Sequence, residues 1–363
     1  MPDLPSPQDV TPFLEEMSAG RWYSNFGPLC QRFEQSMKAF LRTSDAQPEF
    51  SVVSFTSATT ALEAALRVLG LPEGARILLP TLTFPATATA VINGGYVPVY
   101  ADVCEECWEL TPEIAKSMLA EQRIDAIMPV AVYGRPVDAG EWDRVVEETG
   151  LPVVVDAAAA LGQQKIGRKA HYAFSLHATK PFGVGEGGLL VTCDEQIADQ
   201  ARSWSNFGFM GAGGVISQVG TNAKMGEFYA ATGLAQLKRW DTVVARRTKV
   251  LEAYRNRLKS LDNVVVLQAS DGDFLPATFV VRTQGKARAV AEHLKSKGIH
   301  TRYWYLPPLY EHPALARYAE GLSPSEAFPV TEALKNDLIG LPFHSFLSTE
   351  DVDTVCSALE ESL

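Results

Sequence analysis

The hydrophobic positions of this chain repeat with two different periods, and their alternation predicts an α/β fold. One helix face is marked by apolar residues at i, i+3, i+4 and i+7: Leu62, Ala65, Leu66 and Leu69. Short apolar runs such as residues 153–155, which stop at an acidic residue, are instead typical of buried parallel strands. Because helices and such strands alternate through the first half of the chain, we expect a mostly parallel sheet wrapped in helices.

The pattern changes after a long helical stretch that starts near Met225. From about Val265, shorter strand and helix patterns follow: FLPATFVVRT as a strand, KARAVAEHLKSKG as a helix and IHTRYWYLPPL as a strand. We interpret this region as a second, smaller α+β domain joined through the long helix. The sequence therefore predicts a large domain over residues 1–245 and a small C-terminal domain over residues 246–363.

Composition narrows the class of protein without identifying it. The 363 residues are 46% hydrophobic and 21% charged, as in an ordinary globular protein, and the net charge of −11 argues against a nucleic-acid partner. The segment MPDLPSPQDV lacks the apolar core of a signal peptide, and no apolar run reaches membrane-spanning length. We therefore expect a soluble, cytoplasmic protein.

The five scattered cysteines fit a reducing compartment better than a disulfide framework. Cys104 and Cys107 form a CxxC sequence, but neither two further ligands nor a helix N-terminus is evident nearby. We interpret the pair as a chance feature of an acidic surface loop, and we expect no metal site.

Two residues between positions 151 and 192 suggest a particular chemistry. Asp156 ends a buried strand, at the sheet edge where α/β proteins bind ligands. Lys180 lies in a turn of small residues and glycines, SLHATKPFGVGEGG, ahead of another strand. A lysine amine can hold pyridoxal 5'-phosphate covalently, and an aspartate can keep the pyridine nitrogen protonated so that the ring accepts electrons. A surface lysine and a helix-capping aspartate are the alternative interpretation.

Two further features are predicted at the same edge of the sheet. A short strand leads into TSATT at a helix N-terminus around Thr59, where free N–H groups and the helix dipole favour a phosphate. An ordinary Ser/Thr cap is the alternative there. Phe84 follows the next strand, where its ring can stack on a planar cofactor or belong to the core. The coincidence of these features with Asp156 and Lys180 favours a cofactor site.

Ordered blocks of sequence resemble the sugar aminotransferases of the DegT/DnrJ/EryC1/StrS family over nearly the whole chain. They include TSATTALEAAL, LLPTLTFPATATAV, MPVAVYGRPVD, VVVDAAAA, FSLHATKPFGVGEGG, GTNAKMGEFYAATGLAQL and LPFHSFLSTEDV. SLHATK together with GTNAKM is most similar to the branch that makes amino-dideoxyhexoses for lipopolysaccharide O-antigens.

This resemblance implies a fold type I pyridoxal-phosphate enzyme with a large domain and a smaller C-terminal domain. The implied reaction moves an amino group from an amino acid, L-glutamate by resemblance, to C4 of a keto-sugar such as dTDP-4-keto-6-deoxyhexose. Amination at C3, a UDP-linked substrate, another fold type I reaction and a cofactor-binding regulator without turnover stay open as alternatives.

The resemblance also implies roles for individual residues. Lys180 would bind the cofactor covalently and carry protons, Asp156 would pair with the pyridinium nitrogen, and Phe84 would stack on the ring. The cofactor phosphate would be held by four residues, the last from the partner subunit of a homodimer: Ala58, Thr59, Ser175 and Asn222. The candidate substrate contacts are Lys224, Arg302, Tyr303 and Tyr305.

Three positions depart from the family pattern. Ala159 stands where the family usually has a polar contact to the phenolic oxygen of the cofactor, and Leu161 stands where histidine is common. Lys224 replaces a usual arginine, so a bidentate carboxylate clamp is not expected there.

Overall fold

Helices and strands alternate through the first two hundred residues, as the hydrophobic pattern predicts. The structure, a computed structural model, describes residues 1–44, 47–211, 214–259, 265–266 and 274–363. The large sheet contains β1 (Ser51–Phe55), β2 (Arg76–Pro80), β3 (Val97–Ala101), β4 (Ala126–Ile127), β5 (Val154–Asp156), β6 (His171–Ser175) and β7 (Gly188–Thr192). The accompanying helices are α1 (Pro7–Gly20), α2 (Pro28–Leu41), α3 (Ala58–Val68), α4 (Pro85–Asn93), α5 (Pro112–Glu121), α6 (Ala139–Thr149) and α7 (Glu195–Ser205).

The strand order in this sheet is β3-β2-β4-β5-β6-β7-β1. The pairs β2–β3, β2–β4 and β5–β6 are parallel, and a parallel bridge between Ile127 and Val153 joins β4 to the β5 side. β7 runs antiparallel to both of its neighbours, β6 and β1. The other strands therefore end at the edge of the sheet where β7 begins.

Both faces of the sheet are covered, which explains why its strands are apolar throughout rather than alternating. In β5, Val155 packs into the core formed with α1, α2 and α6, whereas Val154 packs into the core formed with α3, α4 and α7. The α/β prediction is confirmed.

The rest of the chain forms a smaller antiparallel sheet with its own helices. Its elements are β8 (Phe209–Met210), β9 (Val215–Ile216), α8 (Glu227–Leu258), β10 (Val265–Val266), β11 (Phe279–Arg282), α9 (Ala287–Ser296), α10 (Pro324–Ala327), α11 (Pro329–Leu334), β12 (Leu338–Leu341) and α12 (Thr349–Ser362). β8 and β9 form a separate hairpin, and the order of the small sheet is β10-β11-β12. Its core includes Tyr254 of α8 stacked on Phe279 of β11, with ring centroids 4.6 Å apart.

The structure bears on the strand and on the domain boundary that the sequence predicts in this region. The strand predicted for IHTRYWYLPPL is wrong, because only Arg302 pairs, in an isolated antiparallel bridge with Gly340. Pro307 and Pro308, which lack N–H donors, follow in the same segment. α8 crosses residue 245 without interruption, so the division into domains at that residue stays a prediction.

None of the described helices is both long and apolar enough to cross a membrane.

Candidate active site

Asp156 is buried at the end of β5, and two donors hold its carboxylate. Thr87 Oγ1 donates to Oδ2 at 2.7 Å, and the Ala158 N–H donates to Oδ1 at 3.1 Å. The hydroxyl of Thr83, one turn before Thr87, lies 2.8 Å from the Thr87 hydroxyl. Burial raises the pKa of Asp156, whereas Thr87, the Ala158 N–H and the charge of Lys180 oppose that rise. The two donors therefore favour the ionised form of the carboxylate, whereas burial favours the protonated form.

Lys180 lies in the loop that joins β6 to β7. The loop is closed by the Ala178 N–H donating to the Gly185 carbonyl at 2.8 Å, and the Lys180 N–H donates to the His177 carbonyl at 2.9 Å. Gly185 has a φ of +108°, a conformation that favours glycine. Burial lowers the pKa of Lys180, and the nearby charge of Asp156 opposes that shift. A lysine amine with a lowered pKa is a better nucleophile and proton carrier near neutral pH.

The N-terminus of α3 provides a group of free donors at the same edge. The Ser57 hydroxyl caps the helix by accepting from the Thr60 N–H at 3.2 Å. Within the described chain, the N–H groups of Ala58 and Thr59 have no hydrogen-bond partner. A Cβ on Gly188 would lie 2.3 Å from the Ser57 carbonyl carbon, so only glycine permits β7 to approach this turn. The result is a small, preformed anion site at a helix N-terminus.

Ser175 and the segment around Asn222 flank this site. Ser175 is buried and lies opposite Gly188 in the sheet. The Thr56 N–H donates to the Ala223 carbonyl at 2.9 Å, which holds the segment beside the end of β1. Lys224 Nζ donates to the Asn222 side-chain oxygen at 2.7 Å, and Asn222 itself is exposed.

An aromatic cluster lies around Phe84. The Phe84 ring is 49% exposed, and its centroid lies 5.9 Å from Trp304 and 6.3 Å from Tyr305. Tyr305 stacks on Tyr133, with ring centroids 5.0 Å apart and planes within 4°. Burial, followed by the negative charge of Asp156, raises the pKa of Tyr305, so this ring belongs to the Asp156 environment.

Two of the residues that the sequence predicts for the site do not contact the aromatic cluster. Among the described contacts, no hydrogen bond or ring contact joins the Arg302 or Tyr303 side chain to this cluster. Conversely, sequence reasoning missed Thr87 and Tyr133. Thr87 was detectable, because TFPATATA places its hydroxyl one helical turn after that of Thr83. Tyr133 was not detectable in this way, because Tyr305, on which its ring stacks, is remote in the chain.

This fold, with a lysine and an aspartate at one sheet edge, is that of a pyridoxal-phosphate-dependent aminotransferase. The chain belongs to the DegT/DnrJ/EryC1/StrS aminotransferase family, whose model matches residues 8–360. The predicted family, fold type and cofactor are confirmed.

Individual relatives match along most of their length. Protein Rv3402c of Mycobacterium tuberculosis strain H37Rv is 32% identical, covering 99% of this chain and 89% of that protein. The dTDP-4-amino-4,6-dideoxy-D-glucose transaminase of Shigella dysenteriae is 26% identical, covering 99% and 97%. The crystal structure of DesI in the presence of its TDP-sugar product is 30% identical, with a TM-score of 0.86, covering 99% of this chain and 91% of that one.

The residues at this edge fit pyridoxal 5'-phosphate. They offer an amine, a buried carboxylate for a protonated ring nitrogen, and free N–H groups for a phosphate. Ala159, with no polar side-chain atom, offers nothing to the phenolic oxygen. When bound, the cofactor supplies an electron sink for the carbon that loses a proton.

Proposed function

We propose that this chain transfers an amino group from L-glutamate to C4 of a dTDP-linked 4-keto-6-deoxyhexose. The observation that carries the proposal is the juxtaposition of Lys180 with Asp156 at the edge where α3 presents free N–H groups. The names of two relatives support the sugar: one is a transaminase named for a dTDP-4-amino-4,6-dideoxyglucose, and one was crystallised with a TDP-sugar product. Biosynthesis of an O-antigen sugar is the proposed setting.

In this proposal Lys180 binds the cofactor and moves protons. Burial lowers the pKa of Lys180, which favours the neutral amine that can take up a proton from the substrate. Asp156 orients the pyridine ring and keeps its nitrogen protonated, with Thr87 holding the carboxylate in place. The Ala58 and Thr59 N–H groups bind the phosphate together with the Ser175 hydroxyl.

The aromatic residues shape the space for ring and sugar. Phe84 stacks on the pyridine ring in this proposal, because the ring of Phe84 is exposed and lies beside Tyr305. Tyr305 contacts the sugar, and its hydroxyl remains protonated at neutral pH because burial raises its pKa. Arg302, Tyr303 and Lys224 are proposed to contact the nucleotide, which carries negative charge suited to the two cations.

A homodimer completes the site in this proposal, with Asn222 reaching the partner's phosphate site. Exposed apolar side chains concentrate in three segments that adjoin Asn222 or its neighbours: Trp22, Tyr23, Phe207, Phe209, Met210, Val215, Ile216, Val219, Phe228 and Tyr229. Tyr23 stacks on Phe228 with ring centroids 6.3 Å apart, which joins two of these segments. An apolar surface of this kind is typical of a protein–protein contact, and a second copy of the chain is the proposed partner.

The test is an absorbance titration of the purified protein loaded with pyridoxal 5'-phosphate. L-glutamate is expected to bleach the visible band of the lysine-bound cofactor, and dTDP-4-keto-6-deoxyglucose to restore it. C3-keto and UDP-linked sugars are added in parallel, so that restoration by one of them alone would replace the proposed substrate.

Lys180→Ala is expected to lose the visible band and the activity together, because Lys180 is the described lysine whose charge acts on the Asp156 carboxylate. Lys169→Ala, at an exposed lysine of another loop, is the matched control and is expected to keep both. A Lys180→Ala protein that retains the band and turns over would contradict the mechanism, and a band that no amino acid bleaches would contradict the aminotransferase assignment of the site.

A further inference from the structure

A cavity lies beside the lysine loop, apart from the aromatic cluster. Its walls are residues 1–3, residues 179–181, Arg247 of α8, and Phe343 and Ser345, which follow β12. Lys180 is therefore shared between this cavity and the Asp156 environment.

Three buried side chains in this wall each have an unpartnered polar atom within the described chain: Arg247 Nε, Ser345 Oγ and Asp3 Oδ2. Arg247 is 5% exposed, Asp3 7% and Ser345 8%. Buried polar groups are nearly always hydrogen-bonded, so three such atoms around one cavity indicate a polar occupant.

Arg247 is one of the charged groups in this wall, together with Lys180 and Asp3. One guanidinium nitrogen donates to the Pro276 carbonyl at 2.7 Å and to the Ala277 carbonyl at 3.2 Å, and the group lies 4.5 Å from the Phe343 ring centroid. No carboxylate of the described residues lies within ion-pair distance of it. The nearby Asp3 is already paired with Arg239 at 2.6 Å, so the charge of Arg247 is available to an anion.

We propose that this cavity binds a carboxylate of the amino-acid donor, an inference that rests on the proposed function. Arg247 Nε–H and the Ser345 hydroxyl donate to the carboxylate, as charge-assisted donors that are otherwise unpartnered in the described chain. Asp3 Oδ2 accepts from the ammonium group of the entering amino acid. Because Lys180 also lines this cavity, a donor bound there lies beside the residue that is proposed to hold the cofactor.

The experiment separates the two half-reactions in the cofactor-loaded enzyme. Arg247→Lys keeps a cation but loses Nε–H, and it is expected to raise the L-glutamate concentration for half-maximal bleaching about 10- to 100-fold. Ser345→Ala, a milder change, is expected to raise it about 3- to 10-fold. Arg246→Lys, at the exposed neighbouring arginine, is the matched control and is expected to stay within about 2-fold of the unchanged protein.

Two further readouts distinguish a binding site from a structural role. Calorimetric affinity for 2-methylglutamate, which has no α-proton to lose, is expected to fall in parallel with the half-saturation shift. The keto-sugar half-reaction is expected to stay within about 2-fold, because the donor site does not serve the sugar.

The outcomes separate this inference from the proposed function. Unchanged glutamate half-saturation in folded Arg247→Lys and Ser345→Ala would overturn the inference, leave water as the occupant and keep the aminotransferase assignment. If no amino acid bleached the unchanged enzyme, yet Arg247→Lys weakened 2-methylglutamate binding, the proposed function would fail while the carboxylate site stood.

Discussion

Thr87→Val removes the donor that holds the Asp156 carboxylate while preserving the shape of a buried side chain. Thr87 is fully buried, and its hydroxyl lies 2.7 Å from Asp156 Oδ2. A hydrogen bond to a charged group contributes about 1.5–3 kcal/mol, which corresponds to about 1–2 pKa units. We therefore expect the pKa of Asp156, already raised by burial, to rise further by about that amount.

The sign of the pH dependence follows from which form of Asp156 loses the donor. Below the folded-state pKa the carboxyl is protonated, and the substitution costs little. As the pH rises from the folded-state pKa of the original protein to the higher pKa of the variant, the ionised form lacks its donor, so the loss of unfolding free energy grows to about 1.5–3 kcal/mol. The loss is therefore largest at alkaline pH and shrinks towards acid.

The assay is chemical denaturation of the cofactor-free protein from about pH 4 to about pH 9. Thr89→Val is the matched control, because Thr89 lies on the same helix but donates to the Pro85 carbonyl at 2.8 Å. We expect the control to show a loss independent of pH, and Thr87→Ser to restore the behaviour of the original protein. A Thr87→Val loss that matches the control at every pH would refute the argument that Thr87 stabilises an ionised Asp156.

Two other predictions concern the phosphate site and its assembly. Gly188→Ala places a Cβ against the Ser57 carbonyl, so we expect a loss of about 1–3 kcal/mol in unfolding free energy and weaker cofactor binding. Gly20→Ala, whose Cβ meets nothing within 4 Å, is the control; equal affinities for the cofactor in the two variants would contradict the steric argument. Mixing inactive Lys180→Ala and Asn222→Ala chains is expected to recover about a quarter of the activity, because half of randomly paired dimers hold one intact site. No recovery after verified exchange of subunits would refute a shared site.

Much of the site was predictable because its key residues follow local patterns. Residues 153–155 are apolar on both faces of a strand, and only an acidic residue at the strand end breaks the run. The Lys180 turn is marked by glycines, and Gly185 indeed adopts a positive φ. In both places the pattern that indicates the candidate residue lies within about a dozen consecutive residues.

The remainder depends on contacts that no local pattern contains. The reversed direction of β7 is set by pairing with β6 and β1 together, not by its own sequence. The aromatic and β-branched residues after Ile299 resemble a strand, yet only Arg302 finds a partner backbone, at Gly340. The pairing of Asp3 with Arg239 joins the N-terminal segment to α8, and charged residues at such positions ordinarily indicate only solvent exposure.

The 32 residues of α8 fix the angular relation between two separate parts of the molecule. At its first turn Glu227 accepts from the Leu29 and Cys30 N–H groups at the start of α2, and near its end Tyr254 packs on Phe279. One residue inserted between these points would turn the far end by about 100° and advance it by about 1.5 Å. Insertions or deletions in surface loops can leave the cavity between Lys180 and Arg247 unchanged. The insertion or deletion of one residue within α8 would instead turn Arg247 or Tyr254 away from its present contacts.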